Sequence, residues 1–75
     1  MKILLFGELT DITKSSSIEI EKVKNIDELN KSIHQKFPSL QNHKYQIAVN
    51  SSLVTKNISL NETDEIALLP PFAGG

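Results

Sequence analysis

The residues with the clearest chemical potential are the last six, Pro70-Pro71-Phe72-Ala73-Gly74-Gly75. A free α-carboxylate on Gly75 is an anion at neutral pH, because its pKa is roughly 3.5, and it must be activated before it can react. An acyl-adenylate, made from ATP in another protein's active site, would supply that activation. A backbone without Cβ atoms can enter a narrow channel, which suits Gly74 and Gly75 to this role. The sequence therefore predicts that the working group is the carboxylate of Gly75.

The other tail residues predict an arm that a partner captures. Each proline fixes φ, so Pro70 and Pro71 indicate a stiff, extended segment that loses little entropy on binding. An aromatic between prolines and glycines is best explained as an anchor for a partner's pocket, and Phe72 has that position. The six residues could reach about 20 Å at roughly 3.3 Å per residue. We therefore expect a folded domain over residues 1–69 and an inserting tail over 70–75, formed before its last glycine by Pro70, Pro71, Phe72, Ala73 and Gly74.

The composition is that of one small domain without cysteine chemistry. The 75 residues include no cysteine, which excludes disulfides, thiolate zinc sites and a cysteine nucleophile. Eight basic and nine acidic residues leave a formal charge of −1, without the basic character typical of nucleic-acid-binding domains. His34 and His43 have no acid at a ligand spacing, so we predict no metal site.

No segment has the pattern of a targeting sequence or a membrane span. The apolar run Ile3–Phe6 is shorter than the roughly 7–15 residues of a signal peptide, and Glu8 and Asp11 follow it closely. No stretch approaches the ~20 apolar residues of a spanning helix. We therefore expect a cytoplasmic protein that has neither a membrane nor a nucleic acid as partner.

Apolar periodicity predicts an N-terminal hairpin followed by one main helix. The run Ile3–Phe6 and the alternating Ile18–Glu21 indicate two strands joined by a turn. Asn25 and Glu28 have the spacing of a capping box at the start of a helix from about Ile26 to Phe37. Further strands are predicted at Tyr45–Val49, around Leu53-Val54 and at Ile66–Leu69.

This order of elements predicts an α+β fold of the β-grasp type. A hairpin, a helical crossover and a last strand that returns beside the first would form a mixed sheet packed on the main helix, with a flexible C-terminal tail. The spacing also predicts the core, which consists of Ile3, Leu5, Ile18, Ile20, Leu29, Ile33, Phe37, Ile47, Val49, Ile66 and Leu68. Ile58 and Leu60 lie outside the predicted helices and strands, and we expect their side chains to fill the core as well.

The alternation within the first and last strands predicts an apolar outer face on the sheet. If Leu5 and Leu68 face the helix, their neighbours Phe6 and Leu69 face the other way, beside the point where the tail leaves. With one helix there is no obvious cover for this face, and exposed apolar patches often mark partner sites. The alternative is that the loop containing Leu9 and Ile12 folds back over it.

Three segments resemble the small subunit of molybdopterin synthase, the MoaD type. They are Lys2-Ile3-Leu4-Leu5-Phe6-Gly7, Ala48-Val49-Asn50 and Thr63 through Gly75, and the likeness spans essentially the whole chain. The Leu-Pro-Pro-x-x-Gly-Gly ending is its most specific part. The resemblance implies a ubiquitin-like sulfur carrier that is a non-catalytic subunit of a transferase complex.

The resemblance also implies partners and covalent states. An adenylyltransferase related to ubiquitin-activating enzymes would adenylate Gly75, which is then converted to a thiocarboxylate, and the chain itself would bind no cofactor. The tail would enter the large synthase subunit, in a heterotetramer, where sulfur passes to precursor Z (cyclic pyranopterin monophosphate) in molybdenum cofactor biosynthesis. Phe6 and Leu69 match apolar positions that pack on this partner.

Two departures and three alternatives accompany the resemblance, and the third alternative is a plain interaction domain whose terminus has no chemistry. Many members have glycine where this chain has Thr63, which suggests a different turn, and arginine where it has Thr10, which removes a basic group. The thiamine sulfur carrier (ThiS type) shares the fold and the Gly-Gly end, but its tail usually lacks the paired prolines. A ubiquitin-like modifier conjugated to lysines is the second alternative, and ubiquitin carries arginines before Gly-Gly where this chain has none.

Overall fold

The computed structural model describes residues 1–71. Its strands and main helix confirm the predicted ones, with ends that shift by one or two residues. In chain order the elements are β1 Lys2–Leu5, α1 Glu8–Thr13, β2 Ser17–Glu19, α2 Ile26–Lys36, a 3-10 turn at Pro38–Asn42, β3 Gln46–Val49, β4 Ser52–Val54 and β5 Ile66–Leu69.

The five strands form one mixed sheet in the order β2-β1-β5-β3-β4. The first and last strands, β1 and β5, lie side by side and parallel, whereas the other neighbouring pairs are antiparallel. The predicted return of the last strand beside the first is therefore confirmed. The sheet packs against α2, whose buried side includes Leu29 and Ile33, both without exposed surface.

The start of α2 is capped by side chains on both sides of its first turn. Asn25 Oδ1 accepts the backbone N–H of Glu28 at 2.9 Å, as predicted. The Glu28 carboxylate in turn accepts the N–H of Lys24 at 3.0 Å, one residue before the position that a reciprocal capping box uses. Two donors at the helix start are thus satisfied.

The predicted core is confirmed apart from two residues. Phe37 is only partly buried, because it caps the C-terminus of α2 at its edge and packs against the core from there. Ile58 is 39% exposed, whereas Leu60 is buried as predicted. The reason is that the segment holding Ile58 contributes its backbone carbonyl to the Ile26 N–H rather than its side chain to the core.

Helix α1 was not predicted by the sequence pattern. It has six residues, begins after Gly7 and contains Leu9, which is fully buried in the core. So short a helix has little stability of its own, and the burial of Leu9 supplies it. Within residues 1–71, no helix has the length and apolar character needed to cross a membrane.

Candidate functional site

A row of apolar side chains crosses the outer face of the sheet, the face opposite α2. The strand register places Leu4 of β1 beside Ala67 of β5, Ala67 beside Ala48 of β3, and Ala48 beside Leu53 of β4. The two alanines form a low centre, and Leu53, which is 58% exposed, stands at the β4 edge. The outer face is therefore apolar, with small side chains at its centre, which form an apolar floor, and the larger Leu53 projecting at one edge.

Phe6 and Leu69 lie together at the end of this face from which the tail departs. The N–H of Phe6 donates to the carbonyl of Leu68 at 3.2 Å, which extends the parallel ladder by one residue and brings Phe6 beside Leu69. Phe6 is 45% exposed and Leu69 is half-buried. The predicted parity of both residues is confirmed, and their role toward a partner stays a prediction.

These residues line a groove of about 730 Å³. Most of its lining is apolar, and Glu65 is its only charged residue among the described positions. Gln46 and Leu53 also line it. Leu53 could not be assigned to the face from sequence, because a three-residue strand such as β4 shows too little alternation to reveal which way its side chains point.

The alternative that the N-terminal loop covers the outer face is wrong. Leu9 belongs to the core cluster with Ile3 and Leu5, and Ile12 packs against the same cluster. Neither residue lines the groove, which remains open beside Phe6. The loop's apolar residues are thus used on the helix side of the sheet.

The described part of the tail lies against the domain. Pro70 contacts Gly7, at the end of the groove. Pro71 lies at the rim of a second, more polar groove between α2 and β3–β4, which His34 and Tyr45 also line. The remaining predicted site residues, Phe72, Ala73, Gly74 and Gly75, lie outside the described residues.

A hydrogen-bonded cluster forms one wall of this second groove. The hydroxyl of Tyr45 donates to Asn30 Oδ1 at 2.7 Å and lies 2.9 Å from His34 Nε2. Burial raises the pKa of Tyr45 to about 12. The His34 and Tyr45 rings meet edge to face, with centroids 6.1 Å apart. Across residues 1–71 no three His, Cys, Asp or Glu side chains are grouped so as to hold a metal ion.

The positions that depart from the expected family pattern have local roles. Thr10 donates its hydroxyl to the carbonyl of Gly7 at 2.8 Å, in the turn between β1 and α1. Thr63 is exposed in the turn before β5, and within residues 1–71 the non-glycine residues with positive φ are Lys14, Asn50 and Ser51. The turn at Thr63 therefore does not need glycine.

Comparison with known proteins places this architecture in a family. A sequence model described as the ThiS family matches residues 3–75. The chain belongs to the ThiS family. This family member is also 31% identical over 80 residues to the molybdopterin synthase sulfur carrier subunit of Mycobacterium tuberculosis strain H37Rv, an alignment that covers 100% of this chain and 96% of the relative.

Solved structures agree with this assignment and confirm the ubiquitin-like β-grasp fold of the ThiS-family chain. A complex of subunits 1 and 2 of molybdopterin-converting factor from Helicobacter pylori 26695 contains a similar chain, with a TM-score of 0.73 and 30% identity over 99% of this chain and 96% of that one. Small archaeal modifier protein 1 of Haloferax volcanii has a TM-score of 0.82 at 17% identity, over 96% of this chain and 97% of that one. The second likeness concerns the fold alone.

Proposed function

We propose that this chain is the sulfur carrier subunit of a molybdopterin synthase. In this role the Gly75 carboxylate is adenylated, converted to a thiocarboxylate and used to donate sulfur to precursor Z. One observation carries the proposal: Pro70, the first residue of the tail, lies at the end of an open apolar groove, beside Phe6 and Leu69. The same surface can hold a partner while the tail reaches into it.

The chain's own contribution is presentation rather than catalysis. A carboxylate attacks the α-phosphate of ATP, pyrophosphate leaves, and the acyl-adenylate so formed is an electrophile that a sulfur nucleophile attacks with loss of AMP. Those steps need a nucleotide site and general acids or bases, which the adenylating partner supplies. The described surface offers this chain's partners an apolar docking face instead. The chain binds no cofactor in this scheme, and adenylate and thiocarboxylate are covalent states of Gly75.

Two partners share the docking face in turn. The first is an adenylyltransferase related to ubiquitin-activating enzymes, and the second is the large synthase subunit, with which the carrier forms a heterotetramer in the cytoplasm. The similarity to a chain from the complex of subunits 1 and 2 supports the second partner. Because both partners must reach the same tail, binding to one excludes the other.

The decisive experiment follows the mass of the intact chain. Incubation with ATP, the adenylating partner and a sulfur donor should replace one terminal oxygen by sulfur. One alanine added after Gly75 should block the exchange, because its Cβ would obstruct the channel that admits the terminal glycines. Deletion of Gly75 should abolish it while circular dichroism stays unchanged, and Gly74→Val should slow both activation and insertion.

Other products would point to the other carriers of this fold. Isopeptide adducts on lysines would favour a protein modifier, and sulfur delivery to thiazole synthesis alone would favour a thiamine-type carrier. Sulfuration of the pterin by the alanine-extended chain, with the extension still present, would contradict a mechanism based on the Gly75 carboxylate.

A further inference from the structure

Gly7 has a backbone conformation that other residues rarely adopt. Its φ is 60° and its ψ −139°, close to a region that is essentially confined to glycine. It lies between β1 and α1, where the chain leaves the sheet and turns into the helix. The conformation alone requires glycine here for local reasons.

The space beside Gly7 is occupied by the first residue of the tail. A Cβ at Gly7 would lie 2.5 Å from Cγ of Pro70 and 3.4 Å from its Cδ. Real Cβ atoms essentially never approach a heavy atom closer than 3.0 Å. The proline ring therefore sits where a side chain of residue 7 would be.

The backbone at Gly7 is fixed by hydrogen bonds made by the residues before and after it. Before it, the N–H of Phe6 donates to Leu68 of β5 at 3.2 Å. After it, the carbonyl of Gly7 accepts both the N–H of Thr10, at 3.1 Å, and the Thr10 hydroxyl, at 2.8 Å. The fully buried Leu9 anchors the helix that follows. The surface against which Pro70 packs is thus part of the domain's fixed frame.

Pro70, in contrast, is not held by hydrogen bonds of the sheet. The ladder of β5 ends at Leu69, which pairs with Gln46, and a proline has no N–H with which to extend it. The direction in which the chain continues after Leu69 therefore depends on packing of the Pro70 ring.

We propose that Gly7 is a positioning residue for the tail: the space left by its absent side chain seats Pro70 and sets the direction of the chain at Pro71. Thr10 supports this seat by holding the Gly7 carbonyl. The consequence for activation rests on the proposed function of Gly75, whereas the seat itself does not. The seat lies at the end of the outer groove, next to the face on which a partner would dock.

The test compares full-length wild type with Gly7→Ala, Pro70→Ala and the double variant, using ATP–pyrophosphate exchange by the adenylating partner. Each single change should lower kcat/KM about 10- to 100-fold, in the range of a misplaced reacting group. The double variant should be no worse than the poorer single variant, because both changes abolish one contact. Additive losses would overturn the proposal, and so would a Gly7→Ala variant of lower stability with unchanged kcat/KM.

A semisynthetic chain with D-alanine at position 7 controls for the loss of glycine as such, because it adds a methyl group without the strain or the clash of an L-residue. D-alanine accepts the positive φ, and its methyl group lies on the side of Cα away from the position that the Cβ of an L-residue would take. This chain should keep wild-type kcat/KM, and a loss equal to that of Gly7→Ala would overturn the proposal. If Gly7→Ala fails to fold, Pro70→Ala carries the kinetic test, and unchanged kcat/KM in that variant would overturn the proposal.

A structural readout keeps the seat distinct from the proposed function. In wild-type protein, nuclear Overhauser contacts should join the Gly7 Hα protons to the Pro70 ring. Their absence would overturn the proposal even if Gly75 is activated normally. Their presence in a chain that no adenylating partner activates would contradict the proposed function and leave the seat supported.

Discussion

The side chains of Asn50 and Asp64 are hydrogen-bonded at the end of the sheet that is remote from the tail. Asn50 Nδ2 donates to Asp64 Oδ1 at 3.0 Å, and Asn50 Oδ1 accepts the N–H of Glu65 at 2.9 Å. Asn50 and Ser51, with φ of 52° and 70°, form the two-residue turn between β3 and β4. Two segments that carry the family resemblance thus meet at a structural joint, at the opposite end of the sheet from Pro70.

We predict that Asn50→Ala destabilises the fold without affecting tail chemistry. It removes two side-chain hydrogen bonds and places a residue less tolerant of positive φ in the turn, which should cost about 1–2 kcal/mol of unfolding free energy. Urea unfolding measures this loss. Sulfur loading of the folded variant should equal that of wild type, and impaired loading would give this joint a functional role.

Asp64 should make the same joint dependent on pH. Hydrogen bonds from the Asn61 backbone and the Asn50 side chain lower the pKa of Asp64 below its ordinary value of 3.8. Its stabilising contribution is therefore present above about pH 3.8 and is lost as pH falls through the lower pKa of the folded state. Wild type should be more stable than Asp64→Asn at neutral pH, with a difference that shrinks in acid; a constant difference would contradict this.

Tyr45 should ionise at a higher pH than an ordinary tyrosine, and its ionisation can be followed without interference from other chromophores of its kind. It is the only tyrosine and there is no tryptophan, so tyrosinate absorbance reports this one group. In the folded protein, the hydroxyl of Tyr45 should ionise with a pKa of about 12, against 10.0 for an ordinary tyrosine. Because the folded pKa is raised, the stability that Tyr45 contributes is complete below pH 10.0 and falls as pH rises toward about 12. Tyr45→Phe should remove this part of the alkaline loss, and titration near 10.0 in folded protein would exclude the buried hydroxyl.

Phe6→Asp should abolish binding to the large synthase subunit while leaving the carrier folded. The ring is 45% exposed, so the core loses little, whereas a partner would have to bury an unpaired carboxylate. Ile58→Asp is the matched control, because Ile58 is similarly exposed, at 39%, but does not line the outer groove. Calorimetric titration should show binding for the control alone. Equal binding by both variants would remove the outer face from the interface.

Ile33→Ala should be among the most damaging changes in the chain. Ile33 has no exposed surface in the middle of α2, so truncation leaves a cavity and should cost roughly 2–5 kcal/mol. Gln35→Ala, two residues further along the exposed side, should change the unfolding free energy by less than about 0.5 kcal/mol. Similar losses in both variants, measured by urea unfolding, would contradict the packing of α2.

The sequence predicted those parts of the structure in which one periodicity dominates. The apolar stripe through Leu29 and Ile33 predicted α2. The alternation within β1 and β5 predicted that Phe6 is exposed on the outer face, and the order of elements predicted that these two strands are neighbours. Local pattern was too short to predict α1, whose stability comes from Leu9 in the core. It also could not place Leu53 on the outer face, because the register with Ala48 is a tertiary property.

The Gly7–Pro70 contact was beyond sequence reasoning for a similar reason. Gly7 was visible as the end of an apolar run and Pro70 as the end of a strand, 63 positions later by their numbers. Only the parallel pairing of β1 with β5 brings them together. The sequence predicted the tail as the reactive segment, and the three-dimensional structure shows its first residue, Pro70, packed against Gly7.

The position of β5 between β1 and β3 means that the sheet lacks its middle strand until residues 66–69 have been made. During synthesis, β1 must wait for the strand most distant from it in the chain, and such non-local pairings form slowly. The outer face takes Ala67 from β5, so its apolar row is incomplete on a chain that lacks this strand. Under the proposed function, a ribosome-bound or truncated chain would therefore not be bound by either partner, and only a finished domain could be loaded with sulfur.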